Sequence, residues 1–318
     1  MKTPPALALA AVLLAWGAGC APAASPAPTP TREPTNTPLP PPANTPTPEP
    51  DFGPWQPVRE LTYRDSSNSV NNGVFHDESF GVLVGAGGHV ETTTDGAQEW
   101  SVLNANSMCL FGADIVDENV VWICGNMGHV RLSQDGGKTW KAVTGFGASE
   151  PNHCRYLSFL DDTTGWAATQ KGQGFTSDGA TAWTELALPA GAGQIAAVFL
   201  RTPADGYVLD DSGTLHATAD GGATWISRPV NAPGKGKLPI DFAPIAAVRF
   251  RDAERGRIVL LRNGYWTGET SDGGATWTWT AMPDFKGARS FYMTRDGRLL
   301  TSIDIAARSI LLLEYSGA

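Results

Sequence analysis

The chain has 318 residues, 42% hydrophobic and 17% charged, with 36 Gly and 24 Pro, which is enough for one large domain or two small ones and too apolar for a generally disordered protein. A net charge of −9, from 23 Lys+Arg against 32 Asp+Glu, argues against nucleic acid as a partner, because that binding needs a field of positive charge. The same balance gives no sign of a basic surface patch. Half of the prolines, 12, fall within the 30 residues 21–50, which separates a tail from a folded body.

Lys2 precedes an uncharged stretch, Ala6 to Trp16, with the length of a signal-peptide apolar region and too short to span a bilayer. It ends in Gly17-Ala18-Gly19-Cys20, which resembles a bacterial lipoprotein processing site, although Gly17 stands where leucine is usual. The resemblance implies residues 1–20 as a lipoprotein signal, Cys20 as the acylated residue and two-chain anchoring to a membrane. An ordinary secretory signal is the alternative, and either exports the protein. Residues 21–50 are Pro/Thr-rich with almost nothing apolar to bury, so they read as a disordered linker. As polyproline II, at ~3.1 Å per residue, they would hold the body up to roughly 90 Å from the anchor.

From residue 51 to 318 one signature recurs: Thr93-x-Asp95-Gly96-x-x-x-Trp100, Ser133-x-Asp135-Gly136-Gly137-x-Thr139-Trp140, Thr176-x-Asp178-Gly179-x-x-x-Trp183, Thr218-x-Asp220-Gly221-Gly222-x-Thr224-Trp225 and Thr270-x-Asp272-Gly273-Gly274-x-Thr276-Trp277. The aspartates lie 40, 43, 42 and 52 residues apart, the period of a four-stranded propeller blade. An apolar residue at Phe75, Ile115, Phe159, Leu200 and Phe250 precedes by six residues Gly81, Val121, Gly165, Gly206 and Gly256, in phase with the signature. Each unit therefore predicts strand, turn, strand, turn, strand, Asp-Gly hairpin and strand, with the Asp and Trp side chains holding the fold. The longer 52-residue interval predicts an insertion around Val230 to Ala243.

A sixth unit starts at Phe291 and lacks a signature hairpin, whereas Trp55-Gln56-Pro57-Val58 resembles the strand that comes after each signature tryptophan. The expected fold is thus an all-β, six-bladed propeller of four-stranded antiparallel blades, closed by an N-terminal strand. Seven blades is the alternative.

The signature is similar to the Asp-box, or bacterial neuraminidase repeat, of sialidases, sortilin-type receptors and the photosystem II stability and assembly factor family. Gly125-x-x-Gly128-His129-Val130 leading into the second copy looks most like the last of these. That resemblance implies a non-enzymatic scaffold binding a protein partner, without cofactor or metal, and expected to be monomeric. The alternative is a carbohydrate-active propeller that binds an envelope glycan or hydrolyses sialosides. Hydrolysis would need three converging arginines, drawn from Arg155, Arg249, Arg251, Arg289 and Arg295, and a Tyr activated by Glu, for which Tyr265 and Glu269 are available. A third alternative is a structural envelope component with no specific ligand.

Binding is expected on the face opposite the Asp-Gly hairpins, with Asn126, Arg155, Lys171, Asp211, Asn263, Tyr265 and Trp266 as candidates. The last two would act as exposed aromatic anchors, unless they serve ordinary strand packing. If Cys20 is acylated, three cysteines remain, and a Cys109–Cys154 disulfide is slightly favoured over pairings with Cys124.

Overall fold

The computed structural model describes residues 54–63, 70–105, 108–143, 153–169, 174–178, 182–240, 246–285, 288–304 and 308–316. The expected signal segment, Cys20 and the 21–50 linker lie outside them.

Among the described residues, all regular structure beyond two short 3-10 turns is β. The first sheet is β2 (Val70–Phe75), β3 (Gly81–Gly85), β4 (His89–Thr93) and β5 (Ser101–Asn104); the second is β6 (Leu110–Ile115), β7 (Val121–Gly125), β8 (Val130–Ser133) and β9 (Lys141–Val143). The third is β10 (Cys154–Phe159), β11 (Gly165–Thr169), β12 (Gly174–Asp178) and β13 (Ala182–Leu186); the fourth is β14 (Ile195–Leu200), β15 (Gly206–Asp210), β16 (Thr214–Thr218) and β17 (Ile226–Pro229). A fifth sheet holds β18 (Ala246–Phe250), β19 (Gly256–Leu261), β20 (Tyr265–Thr270) and β21 (Thr278–Met282). The remaining sheet is β22 (Ala288–Met293), β23 (Leu299–Asp304), β24 (Ser309–Tyr315) and, on the outside, β1 (Trp55–Thr62).

Every pairing in these sheets is antiparallel. The first strands pack in a ring, β2 on β6, β6 on β10, β10 on β14, β14 on β18, β18 on β22 and β22 on β2. This is the expected all-β propeller with four-stranded antiparallel blades. As read from Trp55-Gln56-Pro57-Val58, the N-terminal strand pairs with the last one, from Trp55 opposite Tyr315 to Thr62 opposite Ser309.

The six-residue phase has a packing cause. The aromatic at the end of a first strand lies over the glycine that starts the second, so a Cβ on Gly81, Gly165 or Gly256 would sit 2.5, 2.2 or 2.5 Å from Phe75, Phe159 or Phe250. Only hydrogen fits there. The preceding blade then seals the joint from the side: Trp122 stacks on Phe159 at 3.8 Å, and Tyr207 stacks on Phe250 at 3.8 Å. Signature tryptophans close the outer edge, with Trp100, Trp183 and Trp277 standing edge-on to Phe75, Phe159 and Phe250, and Trp225 tilted against Trp166.

The Asp-Gly hairpins are held by their own side chains. Asp135 accepts from the Ser133 hydroxyl at 2.8 Å, the Thr139 amide at 2.8 Å and the Thr139 hydroxyl at 2.6 Å, while Ser133 accepts from the Gly137 amide at 2.8 Å. Asp220 and Asp272 repeat this network, and Asp95 substitutes the amides of Gln98 and Glu99. The side chain of Asp178 and its hairpin lie outside the described residues.

One expectation is corrected. Cys154 is a free, buried thiol, as is Cys124, so no Cys109–Cys154 bridge forms. The sulfur facing Cys154 is that of Cys124 on β7, to which it is hydrogen bonded, and both pack in the apolar layer between the second and third blades.

Replacing Trp122 by Ala removes a fully buried ring from one inter-blade joint. Urea denaturation should show a loss of ~3–5 kcal/mol, the usual range for a large core aromatic. The hairpins predict an acid limb. The carboxyls of Asp135, Asp220 and Asp272 are drawn down from 3.8 to about 2, first by the hydroxyl of Thr139, Thr224 or Thr276 and then by the amide of the same residue. A depressed folded-state pKa means that this stabilisation is complete above about pH 4 and disappears as pH falls through about 2. Urea midpoints measured across that window should fall with pH for the wild type and fall less steeply for the triple Asp→Asn variant.

Candidate functional site

The axis of the ring is lined by the first strands, whose polar side chains tie neighbouring blades together. Asn71 donates to the Leu110 carbonyl at 2.8 Å, Asp114 accepts from the Phe159 amide at 2.7 Å, and Ser158 accepts from the Leu200 amide at 2.9 Å. Ser290 donates to Asn72 at 2.5 Å across the joint between last and first blades. Arg295, from the β22–β23 turn, reaches across the hairpin end of the axis to the carbonyls of Phe159 and Leu200.

Three arginines approach this axis, but they do not make a sialidase centre. Arg155 is buried over the ring of Phe111, Arg249 is buried between the rings of Phe199 and Tyr292, and Arg295 lies 3.9 Å from Asp114. Arg155 and Arg249, without Arg295, line a cavity of about 40 Å³ that has room for a water-sized group and far too little for a sugar. Tyr292 donates to Asp114, and burial together with the Asp114 charge pushes its phenol up, the opposite of an activated nucleophile. Burial also raises the Asp114 carboxyl against the pull of Arg295 and Arg249. The expected Tyr265–Glu269 pair is absent: Tyr265 is buried and donates to the Phe285 carbonyl, while Glu269 is bonded to Tyr315 and Arg257.

The candidates on the face opposite the hairpins are mostly engaged in structure. Asp211 is buried and holds Lys237 of the insertion at 2.7 Å, and Asn263 donates to Lys235 of the same segment at 3.4 Å. Tyr265 packs in the core between fifth and last blades, and Trp266 packs against the core shared by fourth and fifth, so these aromatics follow strand packing instead of forming exposed anchors. Asn126 is the first residue of a short 3-10 turn after β7, its backbone N–H bonded to the Cys109 carbonyl. Arg155 lines the axis, as above, and Lys171 lies outside the described residues.

A larger concave site lies on the hairpin side, between the fifth and last blades. It is a groove of about 560 Å³ whose walls carry Arg251, Arg255, Arg257 and Arg298, with Glu269, Asp296 and Tyr315. Its origin is one broken repeat. In the second, third and fourth blades the residue after the one that opens the second strand is a ring that seals the next blade, Trp122, Trp166 or Tyr207, and in the first it is the apolar Val82; in the fifth blade that residue is Arg257. Its guanidinium stacks on Tyr315, lies 5.4 Å from the Trp55 ring, and donates to Glu269 at 3.1 Å and to the Gly297 carbonyl at 2.5 Å. A charged residue thus occupies the seam that a ring fills in the second, third and fourth blades.

At the rim, Arg255 bonds Asp252 at 2.8 Å and Arg298 bonds Glu314 at 3.0 Å, with 60% and 70% of their side chains exposed. Arg251 has no ion pair among the described residues. Such exposed pairs are weak and exchange readily for a ligand's carboxylates. Sequence reasoning missed this groove because overall charge averages it away. The local signal was Arg249-x-Arg251-x-x-x-Arg255-x-Arg257, four arginines in nine residues.

Comparisons with known proteins agree with this architecture. Solved structures with a similar fold include YCF48 from Cyanidioschyzon merolae, 15% identical over 82% of this chain and 98% of that one with a TM-score of 0.50. YCF48 bound to D1 peptide is 16% identical over 84% and 98%, with a TM-score of 0.52. The GH74 enzyme of Niastella koreensis is 13% identical over 78% of this chain and 44% of that one, with a TM-score of 0.55. At these identities the likeness is one of fold. No protein of curated function matches the sequence. Residues 52–176, less than half of the chain, match the family model described as photosynthesis system II assembly factor YCF48, a stretch that runs from the closing strand into β12.

Proposed function

We propose that this protein is a non-enzymatic binding or assembly scaffold, held outside a bacterial membrane by lipid on Cys20 and the 21–50 linker, whose arginine groove takes an acidic segment of a protein partner. The six sheets act in this reading as one complete six-bladed ring, a rigid and monomeric platform. The observation that carries the proposal is the groove, where Arg249, Arg251, Arg255, Arg257 and Arg298 line a seam in a chain of net charge −9. A local positive field in an otherwise acidic surface selects for anionic segments and repels acidic surfaces elsewhere. A solved propeller of similar fold, YCF48, is bound to D1 peptide, and this supports a peptide-sized occupant here.

The double variant Arg251→Glu/Arg298→Glu should bind a fluorescent Asp/Glu-rich peptide at least ~10-fold more weakly at low salt, with a shallower salt dependence, while its circular dichroism stays native. Equal affinity in variant and wild type would remove the groove from the proposal. For the anchor, Cys20→Ser should move the protein from the membrane fraction to the soluble exported fraction. Continued labelling of that variant by a fatty-acid probe would overturn lipidation at Cys20.

A further inference from the structure

We propose that the axial cavity is a binding site for one small monovalent anion, of halide or carboxylate chemistry. The argument rests on unmatched donors. Arg249 is 93% buried, and its Nη1 donates to the Val248 carbonyl at 2.8 Å while its Nε–H has no acceptor. Asp114 is the carboxylate nearest to hand, but Oδ2 accepts from the Phe159 amide and Oδ1 from Tyr292, and Arg295 stands at 3.9 Å from the same group. Arg249 has no carboxylate within ion-pair distance among the described residues, and its flat faces meet the rings of Phe199 and Tyr292 at 5.0 and 5.2 Å.

Asn72 lines the same cavity and adds a second donor. Its Oδ1 already accepts from the Gly73 amide at 2.8 Å and from Ser290 at 2.5 Å, so its amide N–H2 has no protein acceptor among the described residues and is left open to the cavity. Arg155 brings another guanidinium to the lining. A buried cation and buried donors without acceptors are costly, and a neutral water offers only partial relief of the charge. The space of about 40 Å³ is more than the ~10–15 Å³ that one water needs on the same measure, and it admits a chloride-sized ion. Arg249 also lines the groove, but the two readings are tested apart, since this ligand is an ion and its test involves no peptide.

Thermal unfolding of the full-length chain at constant ionic strength, with sodium gluconate replaced stepwise by chloride, bromide or formate, tests the site. Gluconate is too large for the cavity. A saturable rise in Tm of ~3–5 °C with the smaller anions is expected, as linkage requires for a ligand that binds only the folded state. A rise with halide identifies a free inorganic ion as the natural occupant; a larger rise with formate points to a carboxylate group. Crystals grown in bromide should show an anomalous peak on the axis between Arg249 Nε and Asn72 Nδ2. Asn72→Asp keeps both accepted hydrogen bonds while supplying a fixed anion, so it should lose at least ~10-fold in halide affinity without losing Tm in gluconate. A Tm that is the same in every anion, together with an axis free of anomalous density, would overturn the proposal, as would an undiminished halide response in Asn72→Asp.

Discussion

The pairing of β1 with β24 is the constraint on which the ring depends. Six sheets that each twist and pack face to face can close only if first and last meet, and an unpaired β24 would leave an edge open to other chains. The strand that closes the ring also carries Trp55, which is fully buried, donates to Thr267 of the fifth blade at 3.2 Å and packs edge-on to Tyr315 at 5.3 Å. Closure therefore fixes Tyr315 in the wall of the groove, where it meets Glu269 and Arg257. One interaction sets both the topology and the shape of the candidate site.

Around the axis the chain accepts a cost that an all-apolar core would avoid. Asp114, Ser158, Asn71 and Asn72 each span a joint between blades, so the inner ring is cross-linked by directional bonds, while the outer layers rest on shape-matched aromatics. Directional bonds specify register where strands are short and nearly alike, and near-identical blades would otherwise slide or exchange partners. Arg295 extends this logic by tying the third and fourth blades to the last.

Most of the fold was legible in the sequence because its determinants are local and repeated. Asp220, Thr224 and Thr218 lie within seven residues, and their mutual bonds need nothing from the rest of the chain. Phe75 and Gly81 likewise recur as a pair because each glycine must sit beneath the ring six residues before it. What could not be read was set by distance. Tyr265-Trp266 looked like an exposed anchor because strand alternation alone does not say that both faces of β20 are covered by neighbouring blades. Cys154 meets Cys124 instead of Cys109, a matter of which side chain points into the joint between blades. The groove was hidden for the opposite reason: its arginines are close in sequence, but their counterpart, Arg298, arrives from the next blade.

A repeat protein spends nearly all of its sequence on the repeat, so function is best sought where the repeat is broken. Trp122, Trp166 and Tyr207 show what the position after the start of the second strand does by default, which is to seal the next blade. Arg257 abandons that role, and the seam it opens stays stable only because Glu269, Tyr315 and the Gly297 carbonyl satisfy its guanidinium. Those partners hold Arg257 in place and leave Arg251, Arg255 and Arg298 at the rim for a ligand. A tryptophan at position 257 would restore the seal that the second, third and fourth blades have. The fold alone therefore gives no reason for arginine there, and the charge it brings to the groove does.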